Sequence, residues 1–212
     1  MSPRYPVLVD LSGRPCLVVG GGPVAERKVR GLLDVDADVT VISPHATEGL
    51  ARAAAEGRVR WHRRSIRPDD IDGPGSPGWG FVVAATDQPA VNGQVVKAAS
   101  AVGTWANDVT SAHGGPAALP ALHRQGDLTV AVSTGGVHPG AAGWIRDLVA
   151  DAIGPEHLVA LDLVAEVKAS SPGGARPDWR TAAESGMLEL IREGRVAEAK
   201  ERLQACLSSS SD

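Results

Sequence analysis

At 212 residues the chain has room for one large domain, or one medium domain with an appendage, and either buries a substantial core. Its 21 basic and 25 acidic residues give a formal charge of -4, with no long basic run and few aromatics, which argues against nucleic acid as a partner. Cys16 and Cys206 fit no zinc-ligand spacing, no apolar run approaches the roughly 20 residues of a membrane span, and no basic-plus-apolar leader opens the chain, so the expectation is a cytoplasmic protein with no membrane segment.

Residues 5–11 form a short apolar segment, an edge strand or a lead-in, before a turn at residues 12–15. The apolar run Cys16-Leu17-Val18-Val19 then breaks into Gly20-Gly21-Gly22-Pro23-Val24-Ala25 and continues as a helix. Gly20, Gly22 and Ala25 fill the three small positions of a dinucleotide-binding turn: one for the tight turn, one for close approach of a pyrophosphate, one for packing helix on strand. The pyrophosphate would sit on the free N–H groups of the helix N-terminus. Ala25, Val29, Leu32 and Leu33 recur with helical spacing, and the β-branched run Val39-Thr40-Val41-Ile42 predicts the next strand. That strand ends in Ser43, Pro44 and His45, where an acidic residue often holds the ribose hydroxyls of NAD. Ser43 offers a weaker hydrogen bond, and the absence of an Arg immediately there tilts the reading towards NAD over NADP; a simple strand-ending turn is the alternative.

A helix is expected over residues 50–55, a short strand over 59–61, and a Gly/Pro-rich surface loop over 67–80 that carries Asp69, Asp70 and Asp72. Phe81-Val82-Val83-Ala84-Ala85-Thr86-Asp87 reads as a strand buried on both faces, with small residues at its end that leave room for a cofactor. A helix over residues 92–101 and a strand over 104–109 follow. A second strand-forming section begins at His123; residues 128–134 make its clear strand, and residues 139–153 a helix. Residues 155–168 and 178–206 have helical periodicity around a Ser/Pro/Gly break at 170–174, and residues 208–212 read as a disordered tail.

Three of these stretches, Val18 to Lys28 with its Val24-Ala25-Glu26-Arg27-Lys28 ending, Ala84-Ala85-Thr86-Asp87, and Leu128-Thr129-Val130-Ala131-Val132-Ser133-Thr134-Gly135-Gly136, occur in order and at matching separations in one family. Together they resemble the precorrin-2 dehydrogenase/sirohydrochlorin ferrochelatase family, the dehydrogenase module of siroheme synthases, here as a stand-alone form. The resemblance implies an α/β fold: an NAD-binding Rossmann domain with a parallel sheet (residues 1–117), a strand-helix dimerisation section (118–153) and a small helical domain (154–212). It implies a homodimer, NAD as cofactor, and a tetrapyrrole substrate, precorrin-2, oxidised to sirohydrochlorin, with iron insertion by some members. Carried over by position, Gly20, Gly21, Gly22, Pro23 and Val24 would hold the pyrophosphate, and Ser43, Pro44 and His45 would lie near the ribose. Ala84, Ala85, Thr86 and Asp87 would flank the cofactor. Asn107, Ser133 and Thr134, with the neighbouring Gly135, Gly136 and His138, would face the substrate.

One departure matters. Where the family reads Asn-x-x-Asp and assigns the Asp to proton transfer, this chain reads Asn107-Asp108-Val109-Thr110, and a threonine hydroxyl takes no proton near neutral pH. Asp108 is the stand-in base, displaced from Thr110 by roughly 6 to 7 Å if both lie on one strand, or else a carboxylate that caps a loop. His113 is a second candidate for base or metal ligand, or a plain loop residue. Which metal, if any, binds is not legible. Loss of the base weakens the case for metal insertion more than for hydride transfer. Two other readings stand beside dehydrogenation: a relative recruited to another NAD-dependent oxidation, and a non-catalytic binder of tetrapyrrole or metal.

Overall fold

The computed structural model describes residues 4–74, 76–111, 113–170 and 179–208. Two compact units divide the chain: one holds everything up to Leu119 together with Thr134–His138, the other Pro120–Ser133 and the chain from Pro139 onward.

The first unit is an α/β domain built on a five-stranded parallel sheet in the order β3-β2-β1-β4-β5. Its strands are β1 (Pro15–Val19), β2 (Asp38–Ile42), β3 (Arg60–His62), β4 (Phe81–Ala84) and β5 (Ala106–Asp108). Because the side chains of a strand alternate, β1 sends Cys16 and Val18 into one apolar core and Leu17 and Val19 into another on the opposite face, and β4 divides Val83 and Val82 the same way. Helices α1 (Pro23–Leu33) and α2 (Glu48–Ala55) cover the first face through Ala25, Val29, Leu32, Leu50 and Ala53. Helix α4 (Pro89–Ala101) covers the second with Val95, Val96 and Ala99. Coverage of both faces explains why the central strands read as unbroken apolar runs rather than as alternating patterns. The order turns back on itself between β1 and β4, and crevices of such sheets open at that point, beyond the strands' carboxyl ends.

One local expectation is narrowed and another changes. Residues 5–11 join no strand and form a lead-in, with Arg4 donating to the Gly115 carbonyl at 3.0 Å. The expected loop after β3 contains a helical turn, α3 (Asp69–Asp72). Asp70 nucleates it, because its carboxylate accepts from the Arg67 N–H at 2.7 Å and takes the forked guanidinium of Arg64 at 2.6 and 2.7 Å. The aspartate triplet is therefore partly an ion-paired turn, with Ile71 buried behind it.

In the second unit, β6 (Ala121–Gln125) and β7 (Leu128–Val132) pair antiparallel across Gly126 and Asp127, and the left-handed φ of 55° at Gly126 suits a two-residue hairpin. Helix α5 (Pro139–Asp151) packs on both strands. Helices α6 (Pro155–Ser170), α7 (Trp179–Glu184), α8 (Met187–Arg192) and α9 (Val196–Ser208) enclose a separate core that includes Leu163, Val167, Leu190 and Leu203. The helical periodicity after residue 178 is thus cut into three pieces. Gly186 and Gly194, with φ of 80° and 78°, end the turns that L side chains would prolong. The break at residues 171–174 and the tail at residues 209–212 lie outside the described residues. Among the described residues no helix is long and apolar enough to cross a membrane.

Candidate nucleotide-binding site

The sheet's carboxyl edge gathers four of the loops singled out in the sequence. At its centre, β1 runs into Gly20, whose N–H donates to the Ile42 carbonyl at 3.0 Å and whose φ is 122°. A Cβ there would lie 2.3 Å from the Ala85 carbonyl oxygen, so Gly20 lets β1 press against the end of β4 at the switch point. Gly21 faces the other way: a Cβ on it would meet the His45 carbonyl at 1.9 Å and the Ser43 hydroxyl at 2.9 Å, and its own carbonyl accepts from the Thr47 N–H at 2.9 Å. Gly22 differs from both. It is the N-cap of α1, its φ is an ordinary -81°, it is exposed, and a Cβ on it would meet nothing within 4 Å. Two glycines thus fasten the turn to its neighbours, and the third faces open space at the start of an 11-residue helix with Pro23 in its first turn. The first N–H groups of a helix have no intrahelical acceptor, so this open edge is a fitting cradle for a pyrophosphate. Ala25 is fully buried, as its packing role requires, and Pro23, Val24, Pro44 and His45 line the exposed rim.

The far side of the crevice is held by side chains. Asn92, in the first turn of α4 and fully buried, accepts at Oδ1 from the Thr86 N–H (3.1 Å) and the Thr86 hydroxyl (2.6 Å). Its amide Nδ2 donates to the Thr86 carbonyl at 3.1 Å and reaches Asp108 Oδ1 and Thr110 Oγ1 at 3.4 Å each. One amide thereby ties the loop Ala84, Ala85, Thr86, Asp87 to the loop after β5. Sequence reasoning treated Asn92 as the start of a helix and missed this role; its signal was a polar residue between Val91 and Val95 on a helix face that is otherwise apolar.

Strand β5 stops at Asp108, and the chain turns at once. The separation of Asp108 and Thr110 expected for a continuing strand does not hold, because Asp108 Oδ1 accepts from the Thr110 N–H at 2.8 Å and its hydroxyl at 2.6 Å. Asp108 is 7 % exposed and caps the loop, and Gly114 packs so close that a Cβ would lie 2.8 Å from Asp108 Oδ2. Asn107 turns its amide to the Ala117 carbonyl at 3.2 Å, which secures the same loop from the other end. Thr110 and His113 are exposed, with the His113 N–H 3.4 Å from the Ser111 hydroxyl. Thr134–His138, which groups with this unit, is a turn in which the Thr134 hydroxyl donates to the His138 carbonyl at 3.2 Å and Gly135 and Gly136 take positive φ. Ser133 belongs to the other unit. Among the described residues no three His, Cys, Asp or Glu side chains converge as a metal-binding group.

A parallel sheet of this order, with a glycine turn pressed against its switch point and an open helix N-terminus beside it, defines a Rossmann-type dinucleotide-binding protein. A family model described as "Putative NAD(P)-binding" matches residues 7–121, which spans the whole parallel sheet. The chain is 30 % identical over 162 residues to a precorrin-2 dehydrogenase of Bacillus subtilis, covering 76 % of this chain and 93 % of that protein. It is 38 % identical over 181 residues to siroheme synthase 1 of Aeromonas salmonicida, covering 82 % of this chain and 37 % of that protein. In structure it resembles SirC, a precorrin-2 dehydrogenase, with a TM-score of 0.67 over 95 % of this chain and 98 % of that one at 24 % identity, a likeness of fold. The chain belongs to the precorrin-2 dehydrogenase family, and it spans less than half the length of the siroheme synthases it matches.

Proposed function

We propose that this protein oxidises precorrin-2 to sirohydrochlorin, with NAD as hydride acceptor, as a cytoplasmic homodimer. The observation that carries the proposal is the open cradle at Gly22 beside the small-residue end of β4, within a chain that aligns with almost the whole of a precorrin-2 dehydrogenase. The nicotinamide ring, when bound, supplies the site that takes a hydride from the macrocycle. The protein's own part is to hold and orient. The N-terminus of α1 binds the pyrophosphate, Ala84 and Ala85 leave the crevice open, and Asn92 fixes Thr86 and joins the cofactor's wall to the loop after β5.

Oxidation also releases a proton. Asp108 Oδ1 is occupied by Thr110 and Asn92, which leaves Oδ2 as the carboxylate oxygen to take it, with His113 the other basic side chain on that loop. Asn107, Thr110, Thr134, Gly135, Gly136 and His138 are proposed to meet the tetrapyrrole. The proposal stops at dehydrogenation: Thr110 stands where the family's proton acceptor for metal insertion is expected. Anaerobic incubation with precorrin-2 and NAD+ should yield sirohydrochlorin absorbance and an equivalent of NADH; bound cofactor without turnover would overturn the reading. The same assay on Asp108→Asn should slow turnover, and an unchanged rate would send the proton to solvent instead.

A further inference from the structure

We infer that the ribose end of this crevice accepts a 2′-phosphate, so that NADP binds as well as NAD, and that Arg63 is the residue that holds the phosphate. The inference rests on the dinucleotide reading above and concerns only its adenosine end. In Rossmann domains an acidic side chain at the end of the second strand takes the ribose hydroxyls and repels a phosphate, whereas a nearby Arg accommodates one. That position here is Ser43, which carries no charge. The linear sequence puts no Arg beside it; the sheet does. Strand β3 pairs with β2 in the register Thr40↔Arg60, Val41↔Trp61, Ile42↔His62, so Arg63 follows the last paired residue of β3 as Ser43 follows the last of β2. The Ser43 N–H and the Arg64 N–H both donate to the His62 carbonyl, at 3.2 and 2.9 Å, so the backbone ladder ends there, and the Trp61 indole N–H, donating to the Ser43 carbonyl at 3.0 Å, holds the two strand ends together.

Arg63 is also seated and uncompensated. Its guanidinium lies 4.2 Å over the Trp61 ring, a cation–π contact that fixes the charge beside the strand end while leaving its donors free. Of the arginines between residues 58 and 64, Arg58 pairs with Glu56 at 2.7 Å, Arg60 with Asp38 at 2.6 Å and Arg64 with Asp70 at 2.6 Å. Arg63 has no carboxylate within 4.0 Å among the described residues. His45 and His62 are exposed along the same edge. An exposed guanidinium fixed beside a strand end that lacks its usual acid matches a phosphate, which takes planar, forked donors best.

Calorimetric titration of NAD+ and NADP+ into the wild-type chain and into Arg63→Ala tests this. Wild type should bind NADP+ within about tenfold of NAD+, and Arg63→Ala should weaken NADP+ by roughly 10- to 100-fold while changing NAD+ less than about threefold, the range for losing a charged hydrogen bond. Ser43→Asp, which restores the missing acid, should likewise cost NADP+ more than NAD+. An NADP+ affinity about 100-fold below that of NAD+ in wild type, or an Arg63→Ala variant that weakens both dinucleotides equally, would overturn the inference and leave the dinucleotide reading intact. Binding of neither dinucleotide would overturn that reading and this inference with it.

Discussion

The two halves of the crevice are made in different ways. The half at Gly20 to Val24 against Ser43 to Thr47 is set chiefly by backbone packed on backbone: the Ala85 and His45 carbonyl oxygens occupy the space where Cβ atoms of Gly20 and Gly21 would be. The half at the ends of β4 and β5 is side chain tied to side chain, with Asn92, Thr86, Asp108 and Thr110 in one connected network. A backbone-built site leaves glycines as its record and fails by steric clash. A site built from side chains leaves no motif and fails by stranding polar groups that have already given up water.

Substitution at the glycine turn should therefore have the largest effect, and an uneven one. Gly20→Ala combines a φ of 122° with a Cβ 2.3 Å from the carbonyl oxygen of Ala85, just past the end of β4, and neither can relax without parting β1 from β4. Chemical denaturation should register a loss of more than about 3 kcal/mol, or no folded protein. A Gly20→Ala variant with wild-type stability would break the comparison. Gly22→Ala is the control two residues away. With ordinary φ and open space, it should denature within about 0.5 kcal/mol of wild type yet bind dinucleotide at least about tenfold more weakly, because the added methyl would stand where we propose that the pyrophosphate approaches.

The network half should respond less strongly and more selectively. Asn92→Ala strands the partly buried Thr86 N–H and carbonyl and empties the fully buried Asn92 site, and should cost roughly 2 to 4 kcal/mol in urea unfolding. Asn92→Asp keeps the shape and the acceptor oxygen but sets a second carboxylate against Asp108, so its stability should fall further at neutral pH than at pH 4. Equal losses at the two pH values would mean that Asp108 and Asn92 are not coupled.

This contrast also accounts for what the sequence disclosed. The glycine turn, the double-faced strand Phe81–Ala84 and the small residues after it were legible, since each follows from one local requirement acting on neighbouring positions. Asn92 was not, because its partners are 6, 16 and 18 residues away and its helix looks like any other half-buried helix. Arg63 was hidden for a related reason: it lies 20 positions from Ser43, and only the pairing of β2 with β3, with Trp61 bonded to the Ser43 carbonyl and lying under the Arg63 guanidinium, brings them to one edge. The early end of β5 could not be foreseen either, as it depends on Asp108 turning back to cap Thr110 rather than on any breaker in the sequence.

Between the two modes stands the ion pair that shapes the crossing from β3 to β4, and it predicts the smallest effect. Arg64 grips the Asp70 carboxylate with two hydrogen bonds, and the Trp79 indole donates to the Asp70 carbonyl at 2.7 Å, so the pair anchors α3 and the strand that follows. The Arg64 guanidinium holds the Asp70 carboxyl below its ordinary value of 3.8, against a partial desolvation that pushes the other way. Because the folded pKa is the lower one, the stabilisation is full above the unfolded value and disappears as pH falls through the folded one. Asp70→Asn should therefore cost about 1 kcal/mol at pH 7, a figure reduced for the part-exposed arginine. The difference from wild type should shrink below pH 4 and vanish once the native carboxyl is protonated. If the difference instead persists at pH 2, the turn is held by the neutral hydrogen bonds around Asp70, and charge has no part in positioning the arginines at the end of β3.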